Sequence, residues 1–217
     1  MKRKIVDKKY LKKYCDYLIK GIYAGLMIGI GGTVYLSVKD SVTGSFLFSI
    51  GLLMICMYGM NLYTGKVGYL LINKINYTIE LLLSLIGNFI GTFLVGTVIN
   101  FTRGNDILTK AQKIVDIKLN DSLVSIFILS VFCGILMYIA VNNYKNSKNE
   151  IGKYIGIFMC VMTFILCGFE HCVANMFYIV AAKMLSLKSL LYLLIMVLGN
   201  SCGSILIALF YNRYYKN

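Results

Sequence analysis

The stretch that decides the fold is CGFEHCVANMFY, residues 167–178. It places Glu170 and His171, the only histidine of the chain, inside an apolar run over about residues 154–183. An ionisable side chain at the centre of a membrane helix costs about 3 kcal/mol on insertion scales. Irregular backbone at that depth is tolerated only where protein buries it or where it lines a cavity. The stretch therefore predicts a broken membrane helix in which Glu170 and His171 carry function.

A second apolar run, about residues 45–72, is interrupted in the same way by MYGMNLYTGKVGYL, residues 57–70. Thr64 offers a hydroxyl group here, and Lys66 offers a positive charge beside a glycine. Half-helices that begin at the two interruptions would point their positive ends toward the membrane centre, which suits an anion. A lysine near a helix end also reaches the membrane surface through its long side chain, so both interpretations of Lys66 stay open.

The composition is that of a chain embedded in a bilayer. Of the 217 residues, 59% are apolar and 14% are charged, whereas soluble domains carry roughly 25% charged residues. We therefore interpret residues 1–217 as a single transmembrane domain, and the composition argues against a soluble enzyme. The apolar runs define six segments, at about residues 21–38, 45–72, 77–100, 122–142, 154–183 and 189–211.

The segments repeat along the chain. Each interrupted segment is followed by one that carries a Gly-Asn-x-x-Gly element, GNFIG at residues 87–91 and GNSCG at residues 199–203. This favours a duplication, with residues 21–100 as the first repeat and residues 118–212 as the second. Because each repeat has three spans, the two are inverted. We therefore expect an all-α membrane protein of six transmembrane helices in two inverted three-helix repeats, with the second and fifth helices broken, as in aquaporins.

The net charge of +13 predicts the topology of the chain. With the N-terminus inside, 14 basic residues lie on the inner side and seven on the outer side. Both termini are thus expected in the cytoplasm, with a basic segment over residues 1–20 against anionic lipid of the cell membrane. The same distribution argues against a nucleic-acid partner.

Cysteine and glycine are given structural interpretations. The seven cysteines form no C-x-x-C pair and have no histidine at ligand spacing, so we expect free, buried thiols, no metal and no cofactor. Four glycines of the first segment predict a face for close helix packing, and this face is also a reasonable surface for oligomer contacts. They are Gly21, Gly25, Gly29 and Gly32.

The motifs resemble those of one family. GFEHCVANMFY is similar to the G-F-E-H-S-V-A-N-M signature of the formate/nitrite transporter family, and NLYTGKVGYL to its L-F-T-G-N element. The two Gly-Asn-x-x-Gly elements are similar to those of its third and sixth helices, and the resemblance covers about residues 10–212. The family comprises pentameric channels for small monovalent anions, each protomer with its own pore. The resemblance implies a homopentamer that conducts anions and is not an enzyme.

The resemblance also implies roles for individual residues. His171 is expected as the central pore histidine, Thr64 as the pore threonine and Lys118 as a basic residue in a loop that dips toward the pore. Lys66 joins this set from the residues alone. The expected anion pathway consists of His171, Thr64, Lys118, Glu170, Asn200 and Lys66, and the expected hydrophobic constrictions are Leu52, Leu62 and Phe164.

Departures from the family pattern point to one branch. Lys66 stands in place of asparagine or serine, Cys172 in place of serine, and Gly134 where many members have asparagine. A compact chain with an altered second-helix loop is most like the hydrosulfide-channel branch, so hydrosulfide is the expected anion, with formate or nitrite also conducted. The alternative is formate or nitrite transport with proton coupling, in which His171 protonates the anion.

Three other classes of protein fit the sequence less well. A neutral-solute pore of the aquaporin type would carry Asn-Pro-Ala motifs, but the chain has no proline. An intramembrane enzyme using Glu170 and His171 would need a paired acid at helical spacing, a serine–histidine dyad with motif support or a second histidine for a metal. The sequence offers none of these, and EHCVAN at residues 170–175 does not have the H-E-x-x-H spacing of a metalloprotease. A structural scaffold would not need two polar interruptions in its helices.

Overall fold

The computed structural model describes residues 2–102 and 104–215, and this part of the chain is built from helices. Met1, Arg103, Lys216 and Asn217 lie outside the described residues, and the predictions on topology and on the domain 1–217 include these four positions. A short 3₁₀ helix, Val67–Ile72, follows the second α-helix. The α-helices are α1 (Lys2–Ser37), α2 (Ser41–Met57), α3 (Asn76–Ile99), α4 (Asn105–Leu119), α5 (Leu123–Asn146), α6 (Glu150–Leu166), α7 (Cys172–Ala181) and α8 (Leu187–Tyr214).

Four of these helices, α1, α3, α5 and α8, are long and apolar enough to cross a membrane. The two segments predicted to be broken are indeed broken. In the first break, residues 58–66, the chain leaves α2 and enters the 3₁₀ helix; in the second, residues 167–171, it leaves α6 and enters α7. Because the pieces beside the breaks are shorter than a membrane span, the count of six spans stays a prediction.

The same backbone turn ends α2 and α6. Gly59 and Gly168 have φ values of 63° and 68°, in the left-handed region that favours glycine. A Cβ atom at either position would meet nothing within 4 Å, so the backbone conformation selects glycine here and space does not. The residue after each glycine closes the turn by donating to a carbonyl near the helix end, as in a Schellman motif. These bonds run from Met60 N to Ile55 O at 2.9 Å and from Phe169 N to Phe164 O at 2.8 Å.

The two repeats are held together internally by equivalent glycine contacts. Helix α1 packs on α3, and α5 packs on α8. A Cβ atom on Gly25 would lie 2.3 Å from the Asn88 carbonyl oxygen, and one on Gly134 would lie 2.2 Å from the Asn200 carbonyl oxygen. Only glycine allows these backbones to approach so closely, which explains Gly134. The predicted glycine face of the first segment therefore packs mainly on α3 of the same chain and is not a free surface for oligomer contacts.

The short pieces after the breaks pack on the opposite repeat. Helix α7 lies against α3 of the first repeat, and the 3₁₀ helix lies against α8 of the second. This exchange brings both breaks to the middle of the protein. The expected half-helix of the first repeat is a six-residue 3₁₀ helix, whereas α7 has ten residues. The repeat limits at 21–100 and 118–212 stay a prediction, and α1 continues the expected segment 1–20 without interruption.

Helix α4 was not predicted. The sequence interpretation placed a loop before the fourth span, but the structure has a helix of 15 residues there. Its apolar positions are spaced for one helical face, and Ala111, Val115 and Leu119 are buried. This face packs against α7 and α1, and Lys118 lies in the last turn of the helix.

The cysteines are only partly buried. Cys133, Cys160 and Cys172 are buried, but the free thiols of three others are exposed on the isolated chain, so the expectation of burial is wrong for them. The exposed cysteines are Cys15, Cys167 and Cys202.

Candidate functional site

The side chains of the two breaks meet at the centre of the protein. Oγ1 of Thr64, from the first break, lies 2.8 Å from Nε2 of His171, from the second. Both residues are fully buried, with 0% and 1% of their surface exposed. The sequence predicted each residue separately, and the fold brings them into direct contact.

His171 also begins helix α7. Its Nδ1 atom accepts a hydrogen bond of 3.0 Å from the backbone N–H of Ala174, so the imidazole takes the place of the usual serine or aspartate cap. An accepting Nδ1 leaves the proton of a neutral ring on Nε2, and Nε2 then donates to Thr64 Oγ1. Among the described residues, the Thr64 hydroxyl has no second side-chain partner, so its own proton is not committed to an acceptor.

Phe164 covers one side of the imidazole. The two rings stack with centroids 5.5 Å apart and an angle of 25°. Both line a cavity of about 240 Å³, which we call the His171 cavity. It lies between the second break, the end of α4 and the C-terminal part of α1, whose Tyr35 contributes to the lining.

The carboxylate of Glu170 is bound from two directions. Lys118 Nζ of α4 lies 2.5 Å from Glu170 Oε2, and Asn175 Nδ2 of α7 donates to the same oxygen at 2.7 Å. Glu170 is 3% exposed, so the ion pair is nearly buried. Lys118 was expected as a basic residue that dips toward the pore, but its pair with Glu170 largely balances its charge. Oδ1 of Asn175 is buried and has no partner among the described residues.

Asn200 holds the backbone of the second break. Its Oδ1 accepts from Cys172 N at 2.9 Å, and its Nδ2 donates to the carbonyls of Ser130 and Glu170 at 2.8 and 2.7 Å. All of its partners are backbone groups, which positions Asn200 as an anchor for the break; it does not line the His171 cavity.

Asn88 does the same for the first break. Its Oδ1 accepts from Tyr63 N at 2.9 Å, and its Nδ2 donates to the carbonyls of Gly21 and Asn61 at 2.8 and 2.9 Å. Asn88 and Asn175 were absent from the predicted site. The repeated Gly-Asn-x-x-Gly element contained the signal for Asn88.

A second, smaller cavity borders the first break, where Gly65 and Lys66 line it, and Thr64 itself lines neither cavity. It has a volume of about 100 Å³, and we call it the Lys66 cavity. Leu62 lines it together with Lys66 and Lys145. Of the three expected constriction residues, Phe164 lines the His171 cavity and Leu62 the Lys66 cavity, whereas Leu52 is buried in α2 and lines neither.

The described part of the chain has no group of three histidine, cysteine, aspartate or glutamate residues placed to hold a metal ion. The site presents hydroxyl, imidazole, amide and ammonium groups together with the carboxylate of Glu170, which is paired with Lys118.

Two opposed helix breaks that meet at one polar contact, each bordered by a cavity, are the architecture of a transmembrane channel or transporter. The chain belongs to the formate/nitrite transporter family, whose model matches residues 2–214.

Several curated proteins are similar to this chain. An uncharacterized transporter of Bacillus subtilis, YrhG, is 28% identical over 186 residues, which cover 76% of this chain and 70% of that protein. The formate channel BtFdhC of Bacillus thuringiensis is 29% identical, with 76% and 71% covered. The formate-nitrite transporter of Plasmodium falciparum is 26% identical, with 96% and 84% covered.

Solved structures share the fold. A pentameric formate channel with formate bound superposes with a TM-score of 0.81 at 23% identity, covering 95% of this chain and 99% of that one. An ion channel of the same family superposes with a TM-score of 0.77 at 22% identity, covering 95% and 91%. The predicted all-α, aquaporin-like membrane fold is confirmed.

Proposed function

We propose that this protein is a membrane channel for small monovalent anions that are conjugate bases of weak acids. The contact between Thr64 and His171 carries the proposal, because it joins polar side chains from the two opposed breaks, and each break borders a cavity. The protein acts as a passage and not as an enzyme.

The energetic problem for such a passage is the loss of water around the anion. An isolated ion moved into an apolar medium pays tens of kcal/mol by Born solvation, so fixed dipoles must replace the water. The unshared hydroxyl proton of Thr64 is one such donor. The N-terminus of α7, capped by His171, adds the positive end of a helix dipole from the other side.

Apolar side chains on both sides of the contact would exclude larger hydrated ions. Phe164 stacks on the imidazole in one cavity, and Leu62 lies two positions before Thr64 in the other. In this proposal Asn200 positions the backbone of the second break, and Glu170 with Lys118 fixes α4 against it.

Formate and nitrite are the anions that the names of the relatives support, and hydrosulfide is the anion that the altered second-helix loop favours. The three share one negative charge and small size, and all fit the same description of the site. Measuring the transport rates of the three anions side by side shows which of them the channel prefers.

The hydrogen bonds of His171 favour a neutral imidazole over a proton donor. A proton on Nδ1 would face the N–H of Ala174, donor against donor, and the cap of α7 would be lost. Proton coupling through His171 therefore requires α7 to loosen at its first turn. This gives coupled transport a structural cost that simple conduction does not have.

We also propose a homopentamer with both termini in the cytoplasm. The surface supports burial in lipid or against other protomers, because large apolar side chains are exposed along α2, α3, α5 and α8. Examples from different helices are Ile50, Phe93, Phe132 and Leu206, each at least 40% exposed.

Reconstitution into liposomes tests the proposal. Vesicles with the purified protein should take up formate, nitrite and hydrosulfide faster than empty vesicles, and glycerol at the rate of empty vesicles. Faster glycerol uptake without anion flux would replace the proposal with a neutral-solute pore. The mass of the detergent complex tests the pentamer independently.

A further inference from the structure

The two cavities are equivalent places in the two repeats. Asn88 accepts from the backbone N–H of Tyr63, and Asn200 accepts from that of Cys172, so these two positions correspond. Counting three residues onward from each, Lys66 in the first break corresponds to Asn175 in α7. Each of this pair lines a different one of the two cavities.

The charges of the two cavities are opposite in kind. The Lys66 cavity is lined by two ammonium groups, those of Lys66 and Lys145, and none of its lining residues carries a carboxylate. The His171 cavity is lined by one lysine, Lys118, together with Glu170 and Asp121. A mobile anion is therefore attracted to the first cavity and is not attracted to the second.

The two ammonium groups of the Lys66 cavity are held only by aromatic rings. Lys66 Nζ lies 5.2 Å from the centre of the Tyr17 ring, and Lys145 Nζ lies 4.7 Å from that of Tyr69. Neither ammonium forms a salt bridge with a carboxylate among the described side chains. A ring that contacts one side of an ammonium leaves other N–H groups for an anion.

One buried carboxylate lies near Lys66 but has another partner. Glu80 of α3 is within electrostatic range of Lys66, as are Lys20 of α1 and Lys145 of α5. Its Oε1 atom forms a salt bridge with Lys13, so its charge is already matched. The neighbourhood of Lys66 thus keeps an excess of positive charge.

We propose that Lys66 and Lys145 form a binding site for a small carboxylate or inorganic anion at one mouth of the channel, and that the opposite mouth has no equivalent site. The inference rests on the proposed function. It makes the channel asymmetric, because anions that enter from the Lys66 side are concentrated before they reach Leu62 and Thr64.

Currents in planar bilayers test the asymmetry. With sodium formate on one side at a time, the wild-type channel should half-saturate at a lower concentration from one face than from the other. In a variant with Lys66→Gln and Lys145→Gln, the half-saturating concentration at the favoured face should rise by about threefold to tenfold, as expected for two partly screened charges. The other face should not change.

Two further variants control for folding and for charge. Arginines at both positions keep the charge and should restore the asymmetry. Lys188→Gln removes a lysine that also lies over a ring, that of Tyr192 at 5.8 Å, but outside both cavities, and should change nothing. Equal half-saturation in the glutamine variant and the wild type, or equal loss in the arginine and glutamine variants, would overturn the inference.

Binding of labelled formate to the solubilised protein separates this inference from the proposed function. In equilibrium dialysis the wild type should bind formate and the double glutamine variant should bind at least threefold more weakly. Binding without flux would refute the channel but keep the site. Flux with no difference in binding or half-saturation would refute the site alone.

Discussion

Thr64 Oγ1 and His171 Nε2 lie 2.8 Å apart, although 107 positions of sequence separate the two residues. The contact joins the two repeats through the two breaks, residues 58–66 and 167–171, where the backbone leaves helical geometry. The direction of this hydrogen bond follows from the other ring nitrogen. Because Nδ1 accepts from Ala174, Nε2 carries the proton and donates to Thr64. The threonine oxygen is thereby the acceptor of this bond, and the hydroxyl keeps its own proton to donate.

Thr64→Val tests that donor with a side chain of nearly the same shape. The variant removes the hydroxyl and leaves the Nε2–H of His171 without a partner, a loss of about 1–3 kcal/mol. We expect formate flux to fall by about tenfold or more, because the anion loses a hydrogen bond worth about 1.5–3 kcal/mol and each 1.4 kcal/mol is a factor of about ten. Stopped-flow uptake by liposomes measures it.

The control for this change is Thr92→Val. Thr92 is also fully buried, but its hydroxyl donates to carbonyls of its own helix at 2.9 Å. That variant should conduct at the wild-type rate. Wild-type flux in Thr64→Val would contradict the proposed role.

The variants His171→Asn and His171→Ala separate the role of His171 as the N-cap of α7 from its role in the pore. Asparagine caps a helix well but is too short to reach Thr64, whereas alanine does neither. Both variants should lose flux, and only the alanine variant should lose a further ~1 kcal/mol of stability from the missing cap.

The readouts for the His171 variants are the apparent Tm in detergent and the flux between pH 5 and pH 8. We expect His171→Asn to alter selectivity or pH dependence more than folding. If flux and pH profile both match the wild type, His171 has no proton role.

Lys118 and Glu170 should behave as a coupled pair. Lys118→Met leaves a buried carboxylate without its cation, a change that costs about 3–5 kcal/mol in buried pairs. Glu170→Gln keeps an acceptor for Asn175, and combining it with Lys118→Met should restore much of the lost Tm. Strictly additive effects in this double-mutant cycle would show that the two residues are independent.

Gly134→Ala should prevent α5 from packing on α8, so that the protein does not fold correctly. The added methyl group would lie 2.2 Å from the Asn200 carbonyl oxygen, and backbone on both sides gives it no room. Gly152→Ala is the matched control, because its nearest neighbour would lie 3.4 Å away, an ordinary contact. Size-exclusion chromatography in detergent should show a normal peak for the control only.

Most of the fold could be predicted from the sequence, because polar groups and glycine inside an apolar membrane segment indicate a break in the helix or a close helix contact. The interruptions at residues 57–70 and 167–178 marked the two broken helices, and the repeated Gly-Asn-x-x-Gly element marked the duplication. Helix α4 was missed although Ala111, Val115 and Leu119 have helical spacing, because its mean hydropathy is far below that of a span.

The site was less accessible to sequence reasoning, since it depends on contacts between distant residues. The sequence placed Lys118 near the pore, but only the structure pairs it with Glu170. Asn200 looked like a pore residue, yet its three hydrogen bonds all go to backbone. Histidine is also an uncommon cap, so the start of α7 at His171 had no standard signal.

The glycine contacts of Gly25 and Gly134 limit how this channel opens and closes. At these contacts α1 touches α3, and α5 touches α8, backbone to backbone, so no side chains lie between them that could be compressed or slide. The four helices around the two breaks therefore behave as a rigid body. The width of the channel then changes only through movements of single side chains at the breaks. We therefore expect conduction to be switched by rotamer changes of residues such as Phe164 and Leu62, with helix positions unchanged between closed and open states.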